Sequence, residues 1–319
     1  MNRRFRAYLE LVRAPNLFTA AADSLAGFLY VGGTSSNFFD AAALVFASVF
    51  LYAGGVALND VCDANVDRVE RPGRPIPSRR ISRREATTFA IGLLAVGFAL
   101  SAAVSWAALW VTGIVIAFIT LYDTVLKSTA TGYAVMGLCR AGNLYLGMSW
   151  SGASFDWEHI LPLAVMWFYV TSLTYFAKQE AGISSSRRLI WGTWGMAISV
   201  VSFCGLNFLL KSAWASYLLT ESLQASPFRV AQAEACGSDS VFGCALIAGV
   251  LIIVLISSGN SANQDRRPEM VQKAVKAAIL GIVLLDACFV VTTRGLPTAS
   301  LVVLLIVPAI ATARFGRMT

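Results

Sequence analysis

The chain has 319 residues, of which 57% are hydrophobic and only 13% charged, with a formal net charge of +7 and a mean hydropathy of +0.66. Soluble domains carry about a quarter of their residues as charges and under half as apolar side chains. This composition therefore excludes a soluble enzyme, a disordered chain and a disulfide scaffold, and leaves a protein that crosses a membrane many times.

One bilayer crossing takes roughly 20 mostly apolar residues. Along the chain such blocks fall at 16–33, 41–58, 86–104, 107–122, 131–150, 160–177, 189–211, 241–258, 274–293 and 298–313. The first carries Asn16 and Asp23, and the third and fourth have almost no loop between them. The sequence thus predicts an all-α, polytopic membrane helix bundle of nine or ten transmembrane helices around a central cavity, as a single domain over 1–319. Arg3, Arg4 and Arg6 read as an amphipathic lead-in rather than a signal peptide, because no compact apolar core with a small-residue cleavage site follows. With ten crossings, 21 of the 25 Lys and Arg residues fall on one side, which the positive-inside rule assigns to the cytoplasm. Interleaved acids and the bilayer context argue against nucleic acid as a partner.

Two residue types narrow the chemistry. His159, in the polar hairpin GASFDWEH, is the single histidine, which excludes an HExxH zinc helix and two-histidine metal or haem ligation. The six cysteines form no CxxC pair. Cys236 and Cys244 flank the start of one block and are a candidate pair on an oxidising side. The polar stretch 222–240 is predicted to lie on the extracytoplasmic face.

The second block ends in the most informative segment, GGVALNDVCDANVDRVERPGRPIPSRRIS at 54–82. On a helix, Asp60, Asp63 and Asp67 share a narrow stripe with Asn59 on its flank. Like charges at that spacing repel, so a cation is expected to neutralise them. All donors are hard oxygens with no thiolate or imidazole converging, which fits Mg²⁺ or Ca²⁺ rather than zinc or copper. Mg²⁺ uses one or two carboxylates, retained waters and substrate phosphate oxygens. Carboxylates beside arginines such as Arg74 are therefore a candidate diphosphate site. A solvated loop whose acids balance seven arginines is the alternative.

Further along, Arg140 lies in mid-helix, where it costs roughly 2.5–3.5 kcal/mol on insertion scales. It must find an anion or polar partner. Asn143, three residues on, is expected to share its pocket. Arg140 either binds a substrate diphosphate or pairs with Asp23, Asp123 or Asp286.

NDVCDANVDR followed by RPGRPIPSRRIS resembles the first aspartate-rich motif of the UbiA superfamily of intramembrane prenyltransferases. That resemblance implies a Mg²⁺-dependent transfer of a prenyl group from an isoprenyl diphosphate to a hydrophobic, aromatic or lipidic acceptor within the lipid bilayer. It implies metal ligation by Asn59, Asp60, Asp63, Asp67 and Glu180. It also implies substrate contacts from Asn16, Arg74, Tyr122, Lys127, Arg140, Asn143 and Lys178. LYDTVLKSTATG (121–132) is similar to the family's tyrosine-plus-lysine segment, while MGLCRAGN and LTYFAKQEAG resemble the EboC-like branch. The last string departs from the family's second aspartate-rich motif, since it offers only Glu180, with Lys178 and Gln179 beside it. That departure keeps open a carrier that uses the same bundle without prenyl transfer. A CDP-alcohol phosphotransferase fits poorly, because no D-G dipeptide begins its motif here.

Overall fold

The computed structural model describes residues 3–151, 159–178, 180, 182–218 and 238–313. The hairpin 152–158, Gln179, Cys236 and most of the polar stretch 222–240 lie outside the described residues. Within them the chain is helical. It opens on a short amphipathic helix, α1 (Arg3–Leu11), whose Ala7 and Leu11 are buried. A 3₁₀ turn at Ala14–Asn16 leads into α2 (Leu17–Tyr30). Then follow α3 (Phe38–Cys62), the short α4 (Ala64–Glu70), α5 (Arg83–Val104) and α6 (Trp106–Leu121). A π-helical turn at Tyr122–Leu126 precedes α7 (Thr131–Met148) and α8 (Ile160–Ala177). The remainder is α9 (Ser186–Leu218), α10 (Ser238–Gln264), α11 (Pro268–Val303) and α12 (Ile306–Thr312).

Seven helical stretches among the described residues are long and apolar enough to cross a membrane. The difference from nine or ten has physical causes. The block at 16–33 yields α2, only 14 residues long, and α7 is diluted by Arg140, Asn143 and its glycines. The last two blocks share one 45-residue stretch, Pro268–Thr312. At 1.5 Å per residue it would measure about 68 Å, twice the roughly 30 Å hydrocarbon layer. It is broken at Gly295, whose φ of 76° and ψ of 173° lie in a region open essentially to glycine.

The long helices close into a ring. α3 packs on α5, α5 on α6, α6 on α7, α7 on α8, α8 on α9, α9 on α10, α10 on α11, α11 on α2, and α2 back on α3. Contacts of α2 with α7, and of α8 with α11, tie the ring across its middle. Small residues let α2 and α7 approach: a Cβ at Gly147 would overlap the Ser24 carbonyl oxygen, and one at Gly27 the Leu144 carbonyl oxygen. Close small-residue contact is the usual way apolar helices associate where lipid removes the hydrophobic drive. The outer face is apolar too, with Trp106 and Trp110 of α6 exposed. The Cys244 thiol, a candidate partner of Cys236 from the sequence, lies with its Sγ 3.6 Å from that of Cys204.

Candidate active site

A cavity of about 550 Å³ runs into the bundle from the end that carries the carboxylate motif. Its inner walls are apolar, formed by Leu51, Val115, Ile119, Val170, Leu173 and Ile282, whereas its mouth is ringed by charged groups. Of the twelve site residues expected from the sequence, eleven line it: Asn16, Asn59, Asp63, Asp67, Arg74, Tyr122, Lys127, Arg140, Asn143, Lys178 and Glu180. Asp60 does not. It is buried beneath the mouth, 3.1 Å from Arg74 Nη1 and 3.6 Å from Arg13 Nη2.

The helix that carries the three aspartates is interrupted at one residue, Asp63, whose backbone stays in the right-handed helical region. α3 ends at Cys62, and Asp63 links it to α4, its N–H still donating to the Asn59 carbonyl at 2.9 Å. Two of the carboxylates share one cation and the third meets another. Arg74 Nη1 bridges Asp60 and Asp67, at 3.1 and 2.7 Å. The Lys127 ammonium donates to Asp63, and to Asn59 Oδ1 at 3.1 Å. Asn59 Nδ2 in turn donates to Asp123 at 2.7 Å. Across the mouth, Arg71 Nη2 reaches Glu180 Oε1 at 3.1 Å. Lys178 Nζ donates to the Lys127 carbonyl at 2.9 Å, over the ring of Tyr133.

The loop after the acids has a structural logic of its own. Arg74 ties it down from above. Ile81 is buried against Ala7, Leu11 and Ala86. Ser82 N-caps α5 in a capping box: its hydroxyl accepts from the Glu85 N–H at 3.2 Å, and its own N–H donates to Glu85 at 3.4 Å. The R-P and I-S elements of the motif are thus the anchors that hold the acidic segment over the cavity.

Deeper in, the structure joins Arg140 to Asp23, at 2.5 Å from Nη1 to Oδ2, and to Thr19 at 2.6 Å from Nη2. Asn143 Nδ2 also donates to Asp23, at 3.2 Å. The Arg140 guanidinium lies 4.9 Å from the centre of the Tyr52 ring.

Sequence reasoning missed three members of this constellation. Arg13 takes a left-handed conformation, φ 48° and ψ 58°, which points a nominal lead-in residue at Asp60. Its position three residues before Asn16 was the available signal. Neither Arg71, in the basic loop, nor Tyr52, in an apolar block, stands out in the sequence.

The donor set can be tested against a divalent ion. Hard oxygens from Asn59, Asp63, Asp67 and Glu180 line one opening, and Glu180 Oε2 is buried with no hydrogen-bond partner. Among the described residues no three acidic, histidine or cysteine side chains form a metal-holding group. One or two carboxylates completed by water and substrate phosphate suit Mg²⁺, which rarely takes an all-protein cage. The residues fit such an ion held jointly with a phosphorylated ligand.

A family model described as the UbiA prenyltransferase family matches residues 21–220. Over 141 residues the chain is 39% identical to a digeranylgeranylglyceryl phosphate synthase of Methanopyrus kandleri, covering 44% of this chain and 51% of that protein. It is 35% identical over 192 residues to a protein of the same name from Methanosarcina mazei, covering 56% of this chain and 65% of the other. The chain thus spans about half of the first of these relatives and just under two thirds of the second. In fold it is similar to a UbiA homolog from Aeropyrum pernix K1, with a TM-score of 0.60 at 17% identity, covering 86% of this chain and 96% of that one. It is also similar to a UbiA homolog from Archaeoglobus fulgidus bound to DMAPP and Mg²⁺, with a TM-score of 0.53 at 16% identity over 88% and 98% of the two chains.

Proposed function

This chain belongs to the UbiA prenyltransferase family, and from that premise we propose that it is an integral membrane enzyme that transfers a prenyl group from an isoprenyl diphosphate to a hydrophobic or aromatic acceptor. The observation that carries the reading is the division of one cavity into a charged mouth and apolar walls. A diphosphate suits the first, and an isoprenoid tail suits the second.

Bound Mg²⁺ would supply Lewis-acid stabilisation of the negative charge on a departing diphosphate. Asn59, Asp63, Asp67 and Glu180 are the residues that would hold it. The chain's own cations, Arg71, Arg74, Lys127 and Lys178, stand around the same opening and give phosphate oxygens charge-assisted donors. Because the carboxylates already order these cations, the donors are oriented before the charge develops. The apolar walls exclude water, which otherwise captures the allylic cation left when the C–O bond breaks. Asp123, held by Asn59, and Glu180 are the candidate acceptors for the proton that the nucleophile releases. Asp60 acts through Arg74 and Arg13 rather than as a ligand.

The MGLCRAGN string and the single carboxylate at Glu180 support placement in the EboC-like branch. The ten helical blocks, with the Pro268–Thr312 stretch counted as two, support nine or ten crossings. The distribution of Lys and Arg supports a cytoplasmic mouth.

The test is purified protein with dimethylallyl, geranyl, farnesyl and geranylgeranyl diphosphates plus extracted host lipids and simple phenols. Diphosphate release that needs Mg²⁺, stops with chelator and is lost in Asp63→Asn is the expected result. Absence of release with every pairing refutes the enzyme. If substrate flux in proteoliposomes then appears instead, the carrier reading replaces it, which the buried ionisable groups on α2, α7 and α11 favour.

A further inference from the structure

The inner wall of the cavity includes Arg140 and Asn143, and these belong to a polar cluster whose two carboxyls, Asp23 and Asp286, do not line the cavity. Asp23 on α2 and Asp286 on α11 are both 0% exposed, and Arg140 on α7 is 7% exposed. The two side-chain donors that reach Asp23, from Arg140 and Asn143, both end on Oδ2. Asp23 Oδ1 and both carboxylate oxygens of Asp286 are buried with no hydrogen-bond partner. The helices that carry the two carboxyls pack against each other, and Asp23 and Asp286 act on one another electrostatically.

The charges do not balance. Two carboxylates face one guanidinium, and the Tyr52 ring beside Arg140 contributes no full charge. The next cation along α11, Arg294, is two turns away and gives its Nε to the Leu29 carbonyl at 3.2 Å. One negative charge would therefore stand uncompensated in the middle of a bundle surrounded by hydrocarbon, where unpaired buried charge is strongly disfavoured. The three donorless oxygens mark where the missing positive charge belongs. A divalent ion would overshoot and leave one positive charge in excess.

We infer that Asp23 and Asp286 hold one monovalent cation between them, a proton or a sodium ion. Either supplies what the oxygens lack: a shared proton makes one carboxyl a donor to the other, and sodium takes the oxygens as ligands. Asp23 and Asp286 do not line the cavity, and the cluster reaches it through Arg140 and Asn143. With its own carboxylates neutralised, the cluster keeps Arg140 paired to Asp23 with its flank toward the cavity.

The full chain in detergent tests this by infrared spectroscopy, and by thermal unfolding in sodium chloride against choline chloride at equal ionic strength. Asp286→Asn is the comparison, because it keeps the shape, gives Asp23 an amide donor and removes the second negative charge. A protonated-carboxyl C=O band at neutral pH that Asp286→Asn lacks supports the proton form. A Tm that rises with sodium in the native chain and not in the variant supports the sodium form. A native chain with neither the band nor the sodium response overturns the inference. If Asp286→Asn does not fold, Asp286→Glu assigns the signal, since the band or the sodium response must then shift. A signal unmoved by that change also overturns it.

Discussion

Three aspartates from one short run do not share one setting, since Asp60 and Asp67 meet at Arg74 whereas Asp63 meets Lys127, and their substitutions should separate accordingly. Asp63 faces the cavity against Lys127. Asp63→Asn and Lys127→Ala should each leave the fold intact and lower kcat with isoprenyl diphosphates by about 10²–10³, the usual cost of losing one preorganised charge contact. Steady-state kinetics, with size-exclusion profiles as the control, checks this. Asp60 is buried between Arg13 and Arg74. Removing one member of a buried pair leaves the others uncompensated, at a cost of about 3–5 kcal/mol. Asp60→Asn should therefore show first as a lowered Tm in detergent, ahead of any specific kinetic effect. The sequence pattern made these residues visible as a group but could not tell ligand from anchor. That distinction depends on Arg13 and Arg74, which are distant from Asp60 in sequence yet close around its carboxylate.

At the scale of single elements, the best-read features were those with local causes. The apolar blocks correspond to helices because backbone polar groups in hydrocarbon have no other way to be satisfied. The capping box at Ser82 is likewise local, and Ser82→Ala should cost about 1 kcal/mol. It should also loosen the preceding loop, raising the KM for the diphosphate more than it lowers kcat. Less legible was the reason for glycine at position 147. Its meaning appears only when α2 lies against α7, with Ser24 and Leu144 at backbone distance. Gly147→Leu should force the two helices apart, costing about 1–3 kcal/mol as overpacking. It should also disturb Arg140 and Asn143, which α7 presents to Asp23. Thermal unfolding of Gly147→Leu beside Gly249→Leu, where nothing lies within 4 Å of a built Cβ, separates packing from a generic effect of the side chain.

For the molecule as a whole, the number of crossings was the hardest quantity to read, because a short α2, a polar α7 and a hinged α11 each blur the hydropathy signal in a different way. Orientation can be tested directly. Gly73 lies in the exposed loop over the mouth, with open space around it. A Gly73→Cys chain whose native cysteines are replaced should react with a membrane-impermeant maleimide in inverted vesicles and stay unlabelled in intact cells. The opposite pattern would place the mouth outside.

The small helix Ile306–Thr312 packs against the 3₁₀ turn Ala14–Asn16, beside Arg13. Segments far apart in sequence thus touch at the turn that carries Asn16 of the cavity wall, and closing so long a loop costs more entropy than the local helix contacts. During biosynthesis the earlier helices can enter the bilayer one after another while the turn that carries Asn16 still lacks the helix that packs on it. A ribosome-tethered intermediate arrested before residue 306 should be membrane-inserted and yet bind a prenyl diphosphate more weakly than the full chain, because the support for Arg13 and Asn16 has not yet been made.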